Sequence, residues 1–171
     1  MTWTELHGVL AARGLIRADA ALRAETAPGV VTGIAYDSRR VAPGEVFVAL
    51  KGQHADGAAF ARQAIERGAA AIVSEQPAPA DLHVAWAMVE DARLALAVLA
   101  AAFYRHPSAD MQVVGITGTN GKTTTAYLVA SIFDAANIRC GLLGTVAYRV
   151  GPGARDVREA ARTTPEAPDV Q

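Results

Sequence analysis

A chain of 171 residues has room for one ordinary domain, or for one small domain and part of a second. Hydrophobic residues make up 51% of it and charged residues 19%, which allows a buried core and excludes general disorder. The formal net charge of −1 provides no broad attraction for nucleic acid, so any ligand has to be argued from a specific site.

Cys140 is the single cysteine of the chain, which excludes an internal disulfide and a zinc site built on several cysteines. Its apolar neighbours predict a small, buried side chain. The N-terminus has no basic start followed by an apolar run, and no apolar stretch approaches the ~20 residues that span a bilayer. We therefore expect a soluble, cytoplasmic protein without a signal peptide and without membrane insertion.

The first part of the chain alternates between helical and extended patterns. Three segments have helical spacing, namely the one from Trp3 to Gly14 and residues 57–67 and 92–104. An apolar run over 30–36 and strands over 45–50, 70–74 and 84–89 lie between them. Asp91 is the predicted cap of the third helix, and Pro107 ends it. This alternation predicts an α/β domain over residues 1–107.

The alternation restarts after a boundary at residues 105–110. A strand is predicted over 113–117, a helix over 122–136 and a second strand over 140–146, which together complete one βαβ unit. Beyond Val150 the chain becomes polar and rich in turn residues. Because one βαβ unit cannot bury both faces of its sheet, we expect residues 108–171 to be the first part of a domain that is cut off at Gln171.

A glycine-rich loop joins the predicted strand to the predicted helix of this unit, with the sequence Gly115-Ile116-Thr117-Gly118-Thr119-Asn120-Gly121-Lys122-Thr123. Free backbone N–H groups and the positive end of a helix dipole suit a phosphate anion, and glycines let the backbone approach it. Lys122 adds a charge for the β- and γ-phosphates, and the Thr123 hydroxyl suits Mg²⁺. Ile116 stands where a strict G-x-x-x-x-G-K-[ST] pattern has glycine, so the loop is a variant of that pattern. It predicts binding of ATP with Mg²⁺, against the alternative of a glycine-rich turn with an incidental lysine.

Three segments carry a resemblance to a known family. Residues 115–125, GITGTNGKTTT, resemble the ATP loop of the Mur ligases, which join amino acids to the UDP-sugar precursor of peptidoglycan. Residues 36–52, YDSRRVAPGEVFVALKG, are similar to the N-terminal domain of the third and fourth ligases of that pathway. The tail over 162–171 is similar to that of the tripeptide-forming, MurE-type branch. The resemblance implies a small N-terminal α/β uridine-nucleotide-binding domain, followed by the start of a P-loop, mononucleotide-binding α/β ATPase domain.

The resemblance also implies which residues bind ligands. The ATP site would comprise Gly118, Thr119, Asn120, Gly121, Lys122, Thr123 and Thr124. Among these, Lys122 would be catalytic, Thr123 would bind the metal, and Asn120 would also face the second substrate. The UDP-sugar substrate would contact Tyr36, Ser38, Gln53, His54, Ala55, Thr163 and Thr164. Arg162 stands where some family members have asparagine, which leaves position 162 without an assigned contact.

The reaction implied by the resemblance is ATP-dependent peptide-bond formation. The γ-phosphoryl group of ATP would move to the D-glutamate side-chain carboxylate of UDP-N-acetylmuramoyl-L-alanyl-D-glutamate, and the amine of L-lysine or meso-diaminopimelate would attack the acyl phosphate. Family members also use a downstream glutamate, a carbamylated lysine and a C-terminal domain, so we expect the 171-residue chain alone to be an inactive monomer. Two alternatives stay open: a MurF-type ligase that accepts the tripeptide precursor, and a nucleotide-binding module without catalysis. Without the resemblance, residues 37–39 would suit a plain strand-end turn and residues 163–165 the start of a helix.

Overall fold

The computed structural model describes residues 1–17, 29–52, 56–150, 156–159 and 165–171. The chain divides into two compact units, Met1–Asp110 and Met111–Val170. Within the described ranges, no helix has the length and apolar character needed to cross a membrane. The two units differ in the kind of sheet that each contains.

The first unit is built on a four-stranded, fully parallel sheet. Its strands are β1 (Ile34–Ala35), β2 (Val46–Ala49), β3 (Ala71–Ser74) and β4 (Ala85–Met88), in the order β1-β2-β3-β4. Its helices are α1 (Trp3–Ala12), α2 (Ala61–Glu66) and α3 (Ala92–Phe103), and a 3₁₀ turn (Gly57–Phe60) precedes α2. The predicted helices and strands of this unit are confirmed, and so is the α/β class. The first turn of the helix predicted over 57–67 is wound as the 3₁₀ turn.

Side chains of the parallel strands alternate between two cores, one on each face of the sheet. Val46 and Val48 lie in the core that α1 and α3 cover, whereas Phe47 lies in the core beneath α2. Every residue of β2, β3 and β4 is buried, as expected of a parallel sheet with both faces covered. Because the strands are parallel, their carboxyl ends meet at one edge of the sheet.

Local signals fix the ends of two helices in this unit. At α1, the Thr2 N–H donates to Glu5 Oε2 at 2.7 Å and the Glu5 N–H donates to Thr2 Oγ1 at 3.3 Å, which forms a capping box. Gly14, the predicted stop of this helix, has a φ of 67°. At α3, the Leu94 N–H donates to the predicted cap Asp91 at 2.9 Å. The sequence therefore specified these boundaries through short-range hydrogen bonds.

The second unit combines one long helix with an antiparallel sheet. Helix α4 (Lys122–Ala135) confirms the predicted helix. Strands β5 (Leu142–Leu143), β6 (Ala147–Val150) and β7 (Asp156–Glu159) pair in the order β5-β6-β7, and a short helix α5 (Ala167–Val170) follows.

The βαβ unit predicted here is wrong for the described part of the chain. Residues 113–117 form no strand, with Val113 72% and Val114 65% exposed, and the strand predicted over 140–146 is reduced to β5. A parallel pair needs a long crossover between its strands, whereas the short connection over 144–146 suffices to pair β5 with β6 as a hairpin. The strand that follows next in the chain, β6, is therefore the partner of β5, and the pair is antiparallel.

Candidate functional site

The glycine loop of the second unit enters α4 through two glycines with unusual backbone angles. Gly118 has a φ of 151°, and Gly121, the N-cap of α4, has a φ of 78° in the left-handed region. A Cβ added at Gly121 would meet no described atom within 4 Å, and one at Gly118 would lie 3.5 Å from the carbonyl oxygen of Asn120. Glycine is therefore required at these two positions by the backbone conformation and not by lack of space.

The start of α4 presents donors that suit an anion. Gly121 has no side chain that could accept from the first-turn amides, and the helix is 14 residues long, so the positive end of its dipole faces the loop. Lys122 is the first residue of the helix. Its Nζ donates to the carbonyl oxygens of Gly118 and Thr119, the second at 3.2 Å. The free amides at the start of the helix are donors of the kind that suit a phosphate group, whereas the ammonium group is held by two carbonyl oxygens of the loop.

Two hydroxyl groups meet beside this loop. The Oγ1 atoms of Thr123 and Thr145 lie 3.0 Å apart, and Thr123 is half-buried. Both residues line a cleft of about 340 Å³ within the second unit, together with Lys122 and Ile116. Cys140, which the sequence predicted to be buried, is only partly buried and lines the same cleft.

The chemistry of these donors fits a nucleotide phosphate with its cation. The other residues predicted for the ATP site, Thr119, Asn120 and Thr124, are exposed on or directly after the loop. Magnesium takes oxygen ligands and keeps several of its waters, so the Thr123 hydroxyl suits it as a single protein ligand. Among the residues that the structure describes, no three His, Cys, Asp or Glu side chains gather into a group that could hold a metal.

A charged turn follows β1 in the first unit. Arg39 donates from Nε to Asp37 Oδ1 at 2.9 Å and from Nη2 to Asp37 Oδ2 at 2.7 Å, and its backbone N–H donates to Oδ1 at 3.0 Å. The side-chain hydrogen bond from Arg39 is the main reason that the pKa of Asp37 falls from 3.8 to about 2. The same bond raises the pKa of Arg39. A bidentate pair two residues apart therefore fixes the shape of this turn.

Two of the predicted substrate residues lie in the same turn. Ser38 is buried, and its Oγ donates to Gln63 Oε1 on α2 at 2.6 Å. Tyr36 is partly buried and packs against the core that α1 and α3 cover. Both residues come directly after β1, at the edge where the carboxyl ends of the strands meet. Open α/β sheets bind their ligands at that edge.

Five predicted substrate residues lie outside the described residues, namely Gln53, His54, Ala55, Thr163 and Thr164, as does Arg162. On the two sides of the first three, Lys51 and Asp56 pair in an isolated antiparallel bridge. Asp56 then caps the 3₁₀ turn by accepting from the Ala58 N–H at 2.9 Å. The segment after β2 is therefore tied at both of its described ends, and it continues into the turn that starts α2.

Gln63 and Thr145 contact predicted site residues, although the sequence did not single them out. Gln63 is exposed on a short helix, where glutamine is an ordinary residue, so its partner is evident only once α2 is packed against the sheet. Thr145 had a weak signal, since it is a polar residue that follows Gly144 in an apolar segment.

The first unit has an α/β fold, and the loop of the second unit has the glycine, lysine and threonine pattern that is typical of phosphate-binding loops. A family model described as "Mur ligase family, catalytic domain" matches residues 30–104, and one described as "Mur ligase middle domain" matches residues 116–171. The two matches together take in most of the chain, and the chain belongs to the Mur ligase family. The resemblance predicted from residues 36–52 and 115–125 is thereby confirmed.

Curated relatives agree with this assignment. The chain is 49% identical over 142 residues to the UDP-N-acetylmuramyl-tripeptide synthetase of Roseiflexus sp. (strain RS-1), covering 82% of this chain and 28% of that protein. It is 48% identical over 149 residues to the UDP-N-acetylmuramoyl-L-alanyl-D-glutamate--2,6-diaminopimelate ligase of Solibacter usitatus (strain Ellin6076), covering 87% of this chain and 30% of that protein. The chain thus spans about three tenths of the length of these relatives.

Solved structures give the same family. The chain resembles the crystal structure of MurF from Acinetobacter baumannii with a TM-score of 0.59 and 30% identity, over 78% of this chain and 27% of that one. It also resembles a UDP-N-acetylmuramoyl-L-alanyl-D-glutamate--2,6-diaminopimelate ligase with a TM-score of 0.63 over 99% of this chain and 32% of that one. At 24% identity, this second likeness concerns the fold alone.

Proposed function

We propose that this chain carries the nucleotide-binding parts of an ATP-dependent ligase that adds the third residue to the peptidoglycan peptide. The acceptor is UDP-N-acetylmuramoyl-L-alanyl-D-glutamate and the incoming group is a diamino acid, either L-lysine or meso-diaminopimelate. The observation that carries the proposal is an identity of 47–49% to relatives named for this reaction, over alignments of 141 to 149 residues. The proposed location is the cytoplasm, because the proposed reaction uses soluble nucleotide substrates, and the proposed oligomeric state is a monomer.

In this proposal, the two domains bind different nucleotides. The domain over residues 1–107 binds the uridine nucleotide through Tyr36 and Ser38, with Gln53, His54 and Ala55 nearby. The domain over residues 108–171 is the start of the P-loop ATPase domain. Within it, Thr163 and Thr164 bind the sugar–peptide part of the acceptor, and Asn120 contacts both ATP and that acceptor.

The residues of the loop act by electrostatics and positioning. ATP supplies the phosphoryl group that activates the D-glutamate carboxylate, with release of ADP, and the attacking amine then displaces phosphate from the acyl carbon as it loses a proton. The α4 amides and Lys122 hold the phosphates and offset the negative charge that shifts between oxygens during transfer. For this, the Lys122 ammonium group exchanges the Gly118 and Thr119 carbonyl oxygens for phosphate oxygens. Thr123 would hold Mg²⁺, which supplies positive charge at the phosphates.

Separate titrations test this proposal on the purified chain. UDP-N-acetylmuramoyl-L-alanyl-D-glutamate and ATP with Mg²⁺ are added in turn in a calorimeter, and each is expected to bind. The matched control is Lys122→Met, which should lose ATP binding and keep the UDP-linked ligand, because Lys122 belongs to the loop of the second unit. Binding of ATP without any binding of the UDP-linked ligand would refute the ligase and favour a nucleotide-binding module without catalysis.

A second candidate function is the next ligase of the pathway, which accepts the tripeptide precursor. The observation in its favour is the likeness to the Acinetobacter baumannii MurF structure at 30% identity. Adding the UDP-linked tripeptide to the same titration series distinguishes the two ligases. Tighter binding of the dipeptide form supports the tripeptide-forming ligase, and tighter binding of the tripeptide form supports the MurF-type alternative.

A further inference from the structure

The hydroxyl group of Ser38 already donates its proton to another side chain of the protein. The residue is 7% exposed, and its Oγ donates to Gln63 Oε1 at 2.6 Å, which is at the short end for an O–H···O hydrogen bond. A serine hydroxyl has one proton and two acceptor lone pairs. While the bond to Gln63 exists, Ser38 can therefore only accept a hydrogen bond from a ligand.

The position of Gln63 is determined by the packing of α2, since the Gln63 side chain itself is not buried. Its side chain is exposed, whereas Ala61 and Ala64, on the inner face of α2, are 1% and 0% exposed in the core beneath that helix. The backbone at position 63 is therefore fixed against the sheet. The carboxamide oxygen accepts from Ser38 in the turn after β1, and the carboxamide nitrogen takes no part in that bond.

The Ser38–Gln63 bond joins the turn after β1 to α2, the helix that comes next in the chain after the loop to which part of the uridine site is assigned. Ser38 belongs to the turn after β1, and α2 follows the loop after β2 through the 3₁₀ turn that begins at Gly57. The first residue of this 3₁₀ turn packs closely against the end of β2, because a Cβ at Gly57 would lie only 2.6 Å from the Leu50 carbonyl oxygen. A displacement of α2 would therefore be transmitted both to Ser38 and to Leu50, at the end of β2.

We propose that Gln63 is a positioning residue of the uridine-nucleotide site. By accepting the Ser38 proton it presents the Ser38 oxygen as an acceptor for an N–H or O–H donor of the nucleotide, such as the uracil N3–H or a ribose hydroxyl. A phosphate oxygen is only an acceptor, so the same arrangement excludes Ser38 as a phosphate-binding donor. This inference rests on the proposed function, since it needs the uridine nucleotide to bind at this edge of the sheet.

Four variants of the full chain test the proposal: Gln63→Met, Gln63→Glu, Ser38→Ala and the double variant Ser38→Ala/Gln63→Met. The measured quantities are the Kd of UDP-N-acetylmuramoyl-L-alanyl-D-glutamate by calorimetry and the thermal midpoint of unfolding. We expect Gln63→Met to weaken binding by about three- to tenfold, the effect of one lost hydrogen bond. Gln63→Glu should bind within about twofold of the wild type, since a carboxylate accepts the same proton. Arg62→Met is the matched control on the same helix and should leave the Kd unchanged, because Arg62 pairs with Asp81 at the surface.

The double variant separates positioning from a purely structural role. If Gln63 acts through Ser38, the double variant binds no more weakly than Ser38→Ala alone. Wild-type affinity in Gln63→Met, additive losses in the double variant, or a Gln63→Glu variant that stays as weak as Gln63→Met would each overturn the proposal. Failure of the wild-type chain to bind the UDP-linked ligand would instead refute the proposed function, and this is seen before any variant is compared.

Discussion

The hydroxyl oxygens of Thr123 and Thr145 lie 3.0 Å apart, although 22 residues separate them in sequence. Thr123 is the second residue of α4, and Thr145 lies in the connection between β5 and β6. One of these hydroxyls donates its proton to the other, so the contact restricts how the Thr123 hydroxyl group can rotate. Because Thr123 is the predicted magnesium ligand, the contact connects the β5–β6 hairpin to the metal-binding step.

Replacing Thr145 with valine should therefore weaken nucleotide binding only when Mg²⁺ is present. Valine keeps the shape of threonine but removes the hydroxyl, and the loss of one hydrogen bond corresponds to about three- to tenfold in Kd. The measurement is the Kd of ATP by calorimetry with and without Mg²⁺. Thr125→Val, at an exposed position of α4, is the control and should change neither value. An equal loss with and without Mg²⁺ would contradict the role given to Thr145.

The left-handed backbone at Gly121 predicts that Gly121→Ala weakens ATP binding, whereas Gly115→Ala does not. Alanine at Gly121 must adopt a φ near 78°, which costs about 1–2 kcal/mol, so the loop should change its shape and bind ATP about tenfold or more weakly. Gly115→Ala is the matched control, because Gly115 has no positive φ and a Cβ there meets no described atom within 4 Å. ATP titration of both variants measures the effect. Equal losses would show that the loop does not depend on this conformation.

The sequence predicted the first unit better than the second for a physical reason. A parallel strand covered on both faces is a short apolar run, and such runs are evident in the sequence at β2 and β3. The direction and the partner of a strand are not evident from its own residues, so only Leu142–Leu143 of the strand predicted over 140–146 pairs in a sheet, and its partner is the antiparallel β6. The same limit applies to the site: the loop glycines and Lys122 were evident from their spacing, whereas the contacts of Gln63 and Thr145 depend on packing.

An added methyl group at Gly57 has no room among backbone atoms. A Cβ there would lie 2.6 Å from the carbonyl oxygen and 2.8 Å from the nitrogen of Leu50, which directly follows β2. We expect Gly57→Ala to lower the free energy of unfolding by about 1–3 kcal/mol, the usual cost of overpacking. Gly8→Ala is the control: it lies exposed within α1, has no described atom within 4 Å of the added Cβ, and should gain about 0.5–1 kcal/mol. Urea unfolding of both variants is the measurement, and a neutral Gly57→Ala would show that α2 can move away from β2.

The pair of Asp37 and Arg39 predicts a pH dependence with a definite sign. The pKa of Asp37 is lowered from 3.8 to about 2 in the folded chain, so the unfolded chain binds the proton more tightly. The stabilisation from Asp37 is therefore complete above pH ~4 and disappears as the pH falls towards 2. Substitution with asparagine removes the titrating group. The difference in unfolding free energy between the wild type and Asp37→Asn should then be constant above pH ~4 and change steadily below it.

The direct measurement of this shift is an NMR titration of the Asp37 carboxyl carbon. We expect a midpoint near 2 in the wild type, and a midpoint that returns towards 3.8 in Arg39→Gln, because the side-chain hydrogen bond from Arg39 is the main cause of the low pKa. Arg40→Gln is the control, since Arg40 contributes only a smaller coulombic effect, and its midpoint should stay close to that of the wild type. If Arg39→Gln left the midpoint unchanged, the turn after β1 would owe its shape to something other than this pair, and the placement of Ser38 against Gln63 would have to be explained without it.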